Sequence, residues 1–168
     1  MPDKRLKTKI YIDGANMFYA QKKMGWFIDW NKVKQWLEQE FNVQEINYYV
    51  GIKKGDTKTD SFRNKLQKYG YRLITKPLKR IRQDDSKYIF KANFDVEIAV
   101  DLIQDSKRYN TFLLFSGDSD FEYVIKKLQK LNKKVIICGV ERSISHELKK
   151  CADKIILISN LRKKLEYK

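Results

Sequence analysis

The sequence predicts an α/β fold in which helices cover both faces of a mostly parallel central sheet. Short apolar runs typical of buried strands alternate with longer segments whose apolar residues recur at helical spacing. Strands separated by segments of helix length favour parallel pairing, because a parallel crossover needs a dozen or more residues. No internal repeat or linker interrupts this alternation, so residues 1–168 are predicted to form a single domain of three layers, α/β/α.

Each predicted element has a local signal in the sequence. The predicted strands are KIYID (9–13), EINYYVGI (45–52), YRLITKP (71–77), TFLLFS (111–116), KVIICGV (134–140) and KIILIS (154–159). Helical patterns cover 15–25, 28–41, 59–70, 93–105, 118–132 and 143–152. Asp29 is a predicted helix N-cap, and Gly25 and Gly70 are predicted to end helices. The connection 77–92 is long for such a fold, which predicts a functional or mobile segment.

The charge of the chain narrows the class of partner. There are 36 lysines and arginines against 21 aspartates and glutamates, which gives a net charge of +15. A surplus of this size favours a polyanionic partner such as nucleic acid, although a solvated lysine-rich surface is the alternative. The two cysteines form no C-x-x-C motif, and no apolar run is long enough to cross a bilayer. We therefore predict a cytoplasmic protein without a membrane partner.

Three aspartates stand where predicted strands end. Asp13 closes the first strand, and Asp118 and Asp120 follow the fourth. Ligands of open α/β sheets gather beyond the carboxyl ends of the strands, so these carboxylates converge if the two strands are neighbours. Each residue also has a plainer interpretation. Asp118 could only cap the following helix, with Glu122 completing a capping box, and Asp13 could only belong to a turn.

Asp95 is harder to explain by local structure. On a helical projection of residues 94–105, Asp95 falls near the middle of a broad apolar arc that includes Val96 and Val100, whereas Asp101 lies on the polar face. A carboxylate directed at a core is costly unless it meets a cation or hydrogen-bond donors. The alternative is an N-terminal charge near Asn93, turned outward as the helix begins. We favour a position beside the other acids, with Asp101 at the periphery.

The long connection carries the strongest basic signal in the chain. Cations follow phosphates, and aromatic rings stack on unpaired bases, so basic residues interleaved with Tyr88 and Phe90 indicate RNA binding. The alternative is an ordinary loop that charge keeps soluble. The predicted RNA-binding residues are Lys76, Lys79, Arg80, Arg82 and Lys91.

Three segments together resemble one known family. The segments YIDGANMFY, KANFDVEIAVDLI and LLFSGDSDFEYVIKKLQKLNKKVIICG resemble the NYN-domain family, the LabA-like branch of PIN-type ribonucleases, and the resemblance covers essentially the whole chain. The resemblance implies a PIN-like α/β/α fold, an acidic site for a divalent metal and cleavage of RNA. The family's acids fall on Asp13, Asp95, Asp118 and Asp120, with Asn16 beside the first. Lys91 matches the family's basic residue before the helical aspartate, and the family also has an acid where Asp101 stands.

The four carboxylates suit Mg²⁺ or Mn²⁺, which prefer oxygen ligands, and a ligand set without histidine or cysteine argues against structural zinc. The predicted function is therefore a metal-dependent endoribonuclease, with Asp13, Asn16, Asp95, Asp118 and Asp120 as its catalytic residues. Two alternatives stay open. One is an RNA-binding or regulatory protein with an inactive or weakly active pocket, and the other is a phosphatase-like hydrolase. The sequence also leaves the oligomeric state open, a homo-oligomer included.

Overall fold

The structure, a computed structural model, describes residues 4–168. Its centre is a six-stranded parallel sheet with the strand order β3-β2-β1-β6-β7-β8. These strands are β1 (Lys7–Asp13), β2 (Asn42–Ile52), β3 (Arg72–Pro77), β6 (Thr111–Phe115), β7 (Lys134–Gly139) and β8 (Lys154–Leu157). All six predicted strands are present, and the predicted three-layer α/β/α fold is confirmed.

Helices pack on both faces of the sheet. One face carries α1 (Gly14–Met24), α2 (Trp30–Glu40), α3 (Thr57–Lys68) and α7 (Arg162–Leu165), and the other carries α4 (Asp95–Asp105), α5 (Glu122–Lys130) and α6 (His146–Cys151). Asp29 caps α2 by accepting the N–H groups of Asn31 and Lys32, as predicted. Among residues 4–168, no helix combines the length and apolar character needed to cross a membrane.

The central strand β6 consists of a threonine followed by four apolar residues. Every residue of β6 is buried, because a parallel strand in the middle of three layers has no solvent face. Leu113 and Phe115 pack into the core under α1 and α2, whereas Phe112 and Leu114 pack into the core under α4 and α5. Burial of each such side chain contributes about 1.5–3 kcal/mol, so both cores hold β6 in register with β1.

The long connection contains a second, smaller sheet. Strands β4 (Lys79–Arg82) and β5 (Tyr88–Lys91) pair antiparallel as a hairpin between β3 and α4. Every residue of the two strands is exposed, so the hairpin has no buried face of its own. A hairpin was not among the predicted elements, because this segment lacks the alternation of buried and exposed residues that marks a strand.

Candidate acidic metal site

The strand order brings the predicted acids to one edge of the sheet. Strands β1 and β6 are parallel neighbours, with Ile12 paired to Phe115, so Asp13 and the residues after Phe115 emerge side by side. Helix α4 begins with Asp95 on the α4 face of the sheet. The sequence-based expectation that these acids converge on the carboxyl edge therefore agrees with the topology.

Asp13 is the buried member of the group, with only 8% of its surface exposed. It is the N-cap of α1, where its Oδ1 accepts the Asn16 N–H at 3.1 Å. The hydroxyl of the fully buried Ser116 donates to Asp13 Oδ2 at 3.3 Å and accepts the Asp118 N–H, also at 3.3 Å. Ser116 thus connects the acid after β1 to the acid after β6.

Asn16 is held against the loop that follows β6. Its Oδ1 accepts the backbone N–H of Gly117 at 3.2 Å. A methyl group on Gly117 would lie 1.9 Å from the carbonyl oxygen of Ser143, so only glycine allows this close backbone approach. The first turn of α1 and the loop after β6 are therefore fixed to each other at the edge of the sheet.

Asp95, Asp118 and Asp120 form a compact carboxylate cluster. One carboxylate oxygen from each residue lies within 4.8 Å of the others. Asp118 also caps the short 3-10 turn Ser119–Phe121, where its Oδ1 accepts the Asp120 N–H at 3.0 Å. The cap interpretation and the site interpretation of Asp118 are thus compatible, because the cap occupies only Oδ1. Asp95 is partly buried at the start of α4, where its backbone N–H donates to Asn93 Oδ1 at 2.8 Å.

Burial and neighbouring acids raise the pKa values of Asp13 and Asp95. Burial raises the pKa of Asp13 above its ordinary value, and the charges of Asp95 and Asp118 add to this, while hydrogen bonds from Asn16 and Ser116 oppose it. Burial also raises the pKa of Asp95, which the charges of Asp118 and Asp120 raise further, against the opposing effects of Asn93 and Lys91. Asp13 is outside the 4.8 Å cluster but within electrostatic reach of two of its members.

This donor set fits a hard divalent cation. Three carboxylates with oxygens at one point offer the ligands that such ions prefer, and they carry the negative charge that a cation would offset. Asp13, held in place by Asn16 and Ser116, is not one of these three carboxylates but is within electrostatic reach of Asp95 and Asp118. Burial, together with the charges of neighbouring acids, raises the pKa values of Asp13 and Asp95, and a bound cation would offset this cost.

Asp101 and Asp105 of α4 serve a different purpose from the acids of the cluster. The hydroxyl of Tyr49 on β2 donates to Asp101 Oδ2 at 2.6 Å. One turn later, Asp105 Oδ2 accepts the Tyr11 hydroxyl at 2.7 Å and lies 2.6 Å from Lys9 Nζ. These contacts attach α4 to the sheet and fix its rotation, which places Asp95 at the edge. Asp101 thus lies outside the acid cluster, but its side chain faces β2, whereas the helical projection places it on the polar face.

The hairpin brings only part of the predicted basic set close to the acids. Lys91, the last residue of β5, is within electrostatic reach of Asp95 and lowers its pKa. Lys76 donates to Glu97 Oε1 at 2.7 Å and to the carbonyl oxygen of Asn93, so it supports the start of α4. Arg82 forms an ion pair of 2.8 Å with Asp85 within the hairpin.

The outer part of the hairpin presents a cation stacked on a ring. The Arg80 guanidinium lies 3.7 Å from the centre of the Tyr88 ring, and Lys53 Nζ lies 4.1 Å from the centre of the Phe90 ring. Both aromatic side chains are 46% exposed. Lys79, at the start of β4, is exposed as well.

Two residues that shape the site have only weak signals in the sequence. Asn93 stands two residues before the helical aspartate, and an asparagine in that position is typical of a side chain that binds the first backbone N–H groups of a helix. Gly117 is the other residue, and the sequence signal for it is the glycine between a buried strand and an acid pair.

Fold and site define a class of protein: a three-layer α/β/α domain with a carboxylate site at the carboxyl edge of a parallel sheet. The chain belongs to the NYN domain family, whose model matches residues 7–159. The family resemblance found in the sequence is therefore confirmed.

Two individual proteins are similar over nearly their whole length. The chain is 34% identical over 164 residues to the Low amplitude and bright protein LabA of Synechococcus elongatus. The match covers 95% of this chain and 88% of that protein. The solved structure of a protein of unknown function from Vibrio parahaemolyticus superimposes with a TM-score of 0.79 and 29% identity, covering 94% of this chain and 96% of that one. The second comparison confirms the fold.

Proposed function

We propose that this protein is a metal-dependent ribonuclease that hydrolyses RNA phosphodiester bonds, with Mg²⁺ or Mn²⁺ as its cation. The observation that carries the proposal is the cluster of Asp95, Asp118 and Asp120, whose carboxylate oxygens lie within 4.8 Å of one another. Membership of the NYN domain family supports the nuclease assignment, and the positive net charge of the chain supports RNA as the substrate.

Each residue of the site has a proposed role. Asp95, Asp118 and Asp120 hold the cation, and Asp13 completes the ligand set from the end of β1. When bound, a divalent cation neutralises charge at the scissile phosphate and makes water a stronger nucleophile. Asn16 orients a phosphate oxygen through its Nδ2 donors, because its Oδ1 is engaged by the Gly117 N–H. Ser116 keeps the Asp13 carboxylate turned toward the loop after β6.

The substrate strand is proposed to reach the acids along the hairpin. Lys91 is within electrostatic reach of Asp95, and Arg80 and Tyr88 present a guanidinium and an exposed ring on the hairpin. A groove lined by Lys76, Asp95, Val96 and Asp120 lies beside the cluster. Cations along this path would follow the phosphates, whereas Tyr88 and Phe90 are available for stacking on unpaired bases.

The first prediction concerns turnover. Purified protein is expected to cleave an internally labelled single-stranded RNA in the presence of Mg²⁺ or Mn²⁺, and EDTA is expected to stop the reaction. The products should be resolved on a denaturing gel, with a small phosphate monoester assayed in parallel. RNA binding without metal-dependent cleavage would identify a binding or regulatory protein, and hydrolysis of the monoester alone would identify a phosphatase-like enzyme.

The second prediction concerns the hairpin. Replacing Lys79, Arg80 and Arg82 together by alanine should weaken RNA binding and reduce the slope of log affinity against log salt by about 2, since each lost phosphate contact to a single strand removes about 0.7. Fluorescence anisotropy at several salt concentrations measures this slope. The melting-temperature response to metal should survive, because none of the three residues belongs to the acid cluster.

A variant of equal charge provides the control for the hairpin experiment. Replacing Arg162, Lys163 and Lys164 of α7 by alanine removes the same three charges from a helix that packs against α2, on the opposite face of the sheet from α4. The salt slope of this variant should stay close to that of the wild type. Equal losses of RNA affinity and equal decreases of the salt slope in both variants would mean that net charge, rather than the hairpin, determines RNA binding.

A further inference from the structure

Helix α1 exposes two large aromatic side chains on one side of its second turn. Phe18 is 50% exposed and Tyr19 is 63% exposed, whereas Gly14, Met17 and Ala20 on the other side of the helix are buried. These two rings contribute nothing to the core that holds α1 against the sheet. Their exposure therefore needs an explanation other than folding.

The two rings and a lysine form one continuous surface. The rings meet edge to face with their centres 5.7 Å apart. Lys22, one turn later, places Nζ 4.5 Å from the centre of the Phe18 ring and 5.7 Å from that of Tyr19. We call these three residues the aromatic patch. Rings that carry a cation beside them match a nucleotide, which has a flat base next to a phosphate.

The aromatic patch lies on the helix that begins at the acidic site. Helix α1 starts directly after Asp13, and Asn16 in its first turn is bonded to Gly117 at the edge of the sheet. Tyr19 follows Asn16 by three residues, which is a rise of about 4.5 Å along the helix. Long side chains on a helix lean toward its N-terminus, so the rings lean toward the edge where the acids lie.

The aromatic patch and the hairpin flank the acids from opposite sides. Helix α1 belongs to the face of the sheet that carries α2 and α3, whereas the hairpin leads into α4 on the other face. A strand that follows the hairpin to the acid cluster and continues across the sheet edge arrives at α1. One flexible strand can cross the edge in this way, because its backbone can turn at each phosphate.

We propose that the aromatic patch is a base-stacking subsite that holds an unpaired nucleotide adjacent to the scissile phosphate. This inference rests on the proposed function and adds a binding site for the same substrate. Bases in a duplex are stacked on each other and paired, so they cannot lie on Phe18 or Tyr19. Lys22 and the neighbouring Lys23 bind the flanking phosphates.

The charges on this surface favour RNA over a second copy of the chain. Lys22 and Lys23 are both exposed at the patch, and the chain carries a net charge of +15. Two copies brought together through this surface would place like charges opposite one another, which opposes association. A polyanion with flat bases meets the same rings and lysines with opposite charge.

The test compares a double variant with a matched control. Phe18→Ala combined with Tyr19→Ala removes two exposed rings and places alanine, a strong helix former, in α1. Phe27→Ala combined with Tyr167→Ala removes two rings that are 69% and 60% exposed and lie outside the helix. Binding is measured by anisotropy in the presence of EDTA, with a fluorescein-labelled single-stranded RNA and with the same strand annealed to its complement.

The expected result is a loss of affinity that is large for single-stranded RNA and small for duplex RNA. The Phe18/Tyr19 double variant should bind the single strand at least about tenfold more weakly, since stacking of one base is worth roughly that factor. Its affinity for the duplex should change less than about twofold, and the control variant should match the wild type on both. The conservative variant Phe18→Tyr should keep the single-strand preference because it keeps the stacking surface.

Other outcomes overturn the inference. Equal weakening on single strand and duplex, or no weakening, excludes base stacking by the patch. A wild type that sediments as a dimer while the double variant is a monomer with unchanged RNA affinity identifies the patch as a contact between copies. If the wild type cleaves and binds RNA, these results leave the proposed function intact. A wild type that neither binds nor cleaves RNA overturns both proposals together.

Discussion

Asp118→Asn is expected to leave the metal-free protein as stable as the wild type or more stable, and to abolish its stabilisation by Mg²⁺ or Mn²⁺. In the wild type, a cation that binds only the folded state at a hundredfold excess over its Kd adds about 2.7 kcal/mol of stability, or on the order of 5–10 °C in melting temperature for a domain of this size. Thermal unfolding with EDTA, Mg²⁺ or Mn²⁺ measures both effects.

The physical reason is that Asp118 has two separable roles. Its Oδ1 caps the turn after β6, and asparagine is as good a cap as aspartate, so the substitution preserves this hydrogen bond. Its charge contributes to the repulsion that raises the pKa values of Asp13 and Asp95. The variant therefore removes repulsion from the metal-free protein and removes a ligand from the site, while the local fold stays intact.

The difference in stability between Asp118→Asn and the metal-free wild type is expected to increase with pH. Because the pKa values of Asp13 and Asp95 are raised on folding, the folded protein keeps protons that the unfolded chain has released at the same pH. The stability that these two groups contribute therefore decreases as the pH rises from about 4 through their raised pKa values. Asp118→Asn weakens both shifts, so its advantage over the metal-free wild type should grow over that pH range.

Asp56→Asn is the matched control for this prediction. Asp56 is also an N-cap, at the start of α3, where its Oδ1 accepts the Thr59 N–H at 3.2 Å. Hydrogen bonds from Thr59 lower the pKa of Asp56, so its charge is favourable in the folded state. This variant should gain no stability and should keep the metal response. If Asp118→Asn instead loses about 1 kcal/mol and the wild type shows no metal response, Asp118 is only a helix cap.

The fold could be predicted from the sequence because its central strands leave a simple pattern. β6 reads as five apolar or small residues in a row, since both of its faces are covered, and β7 has a similar run at 135–138, whereas the apolar run of β1 is shorter, at 10–12. The acids could be located for a related reason. Parallel strands end at a common edge, so residues after β1 and β6 meet there whatever the detailed packing is.

The parts that could not be predicted depend on partners that are distant in sequence. The hairpin has no buried face, so its strands are set by pairing with each other rather than by a hydrophobic pattern. On α4, the helical projection places Val96 and Val100 in the apolar arc, yet they are 74% and 48% exposed. The helix is rotated by its polar attachments, Tyr49 to Asp101 and Tyr11 to Asp105, which no periodicity reveals.

Because these hydrogen bonds hold α4 in a fixed orientation, two substitutions on this helix can test which acid is needed for catalysis. Asp95→Asn and Asp101→Asn are isosteric changes on one helix, six residues apart, and each preserves the local contacts that the structure shows. The bond from Asn93 goes to the backbone N–H of Asp95, so it survives the first substitution. An asparagine at position 101 can still accept the Tyr49 hydroxyl through Oδ1, so the second substitution keeps α4 attached.

Asp95→Asn should lower metal-dependent RNA cleavage on the order of a hundredfold or more, because loss of even an indirect support of a metal ligand typically costs 10- to 100-fold. Asp101→Asn should lower it less than about tenfold, since Asp101 acts only by orienting the helix that carries Asp95. Cleavage rates should be compared at equal folded fraction, verified by circular dichroism, with RNA affinity measured for both variants. Equal activity of the two variants and the wild type would falsify the proposed role of Asp95. A larger loss from Asp101→Asn would mean that the acid bound by Tyr49, rather than the acid at the sheet edge, is the one on α4 that the reaction needs.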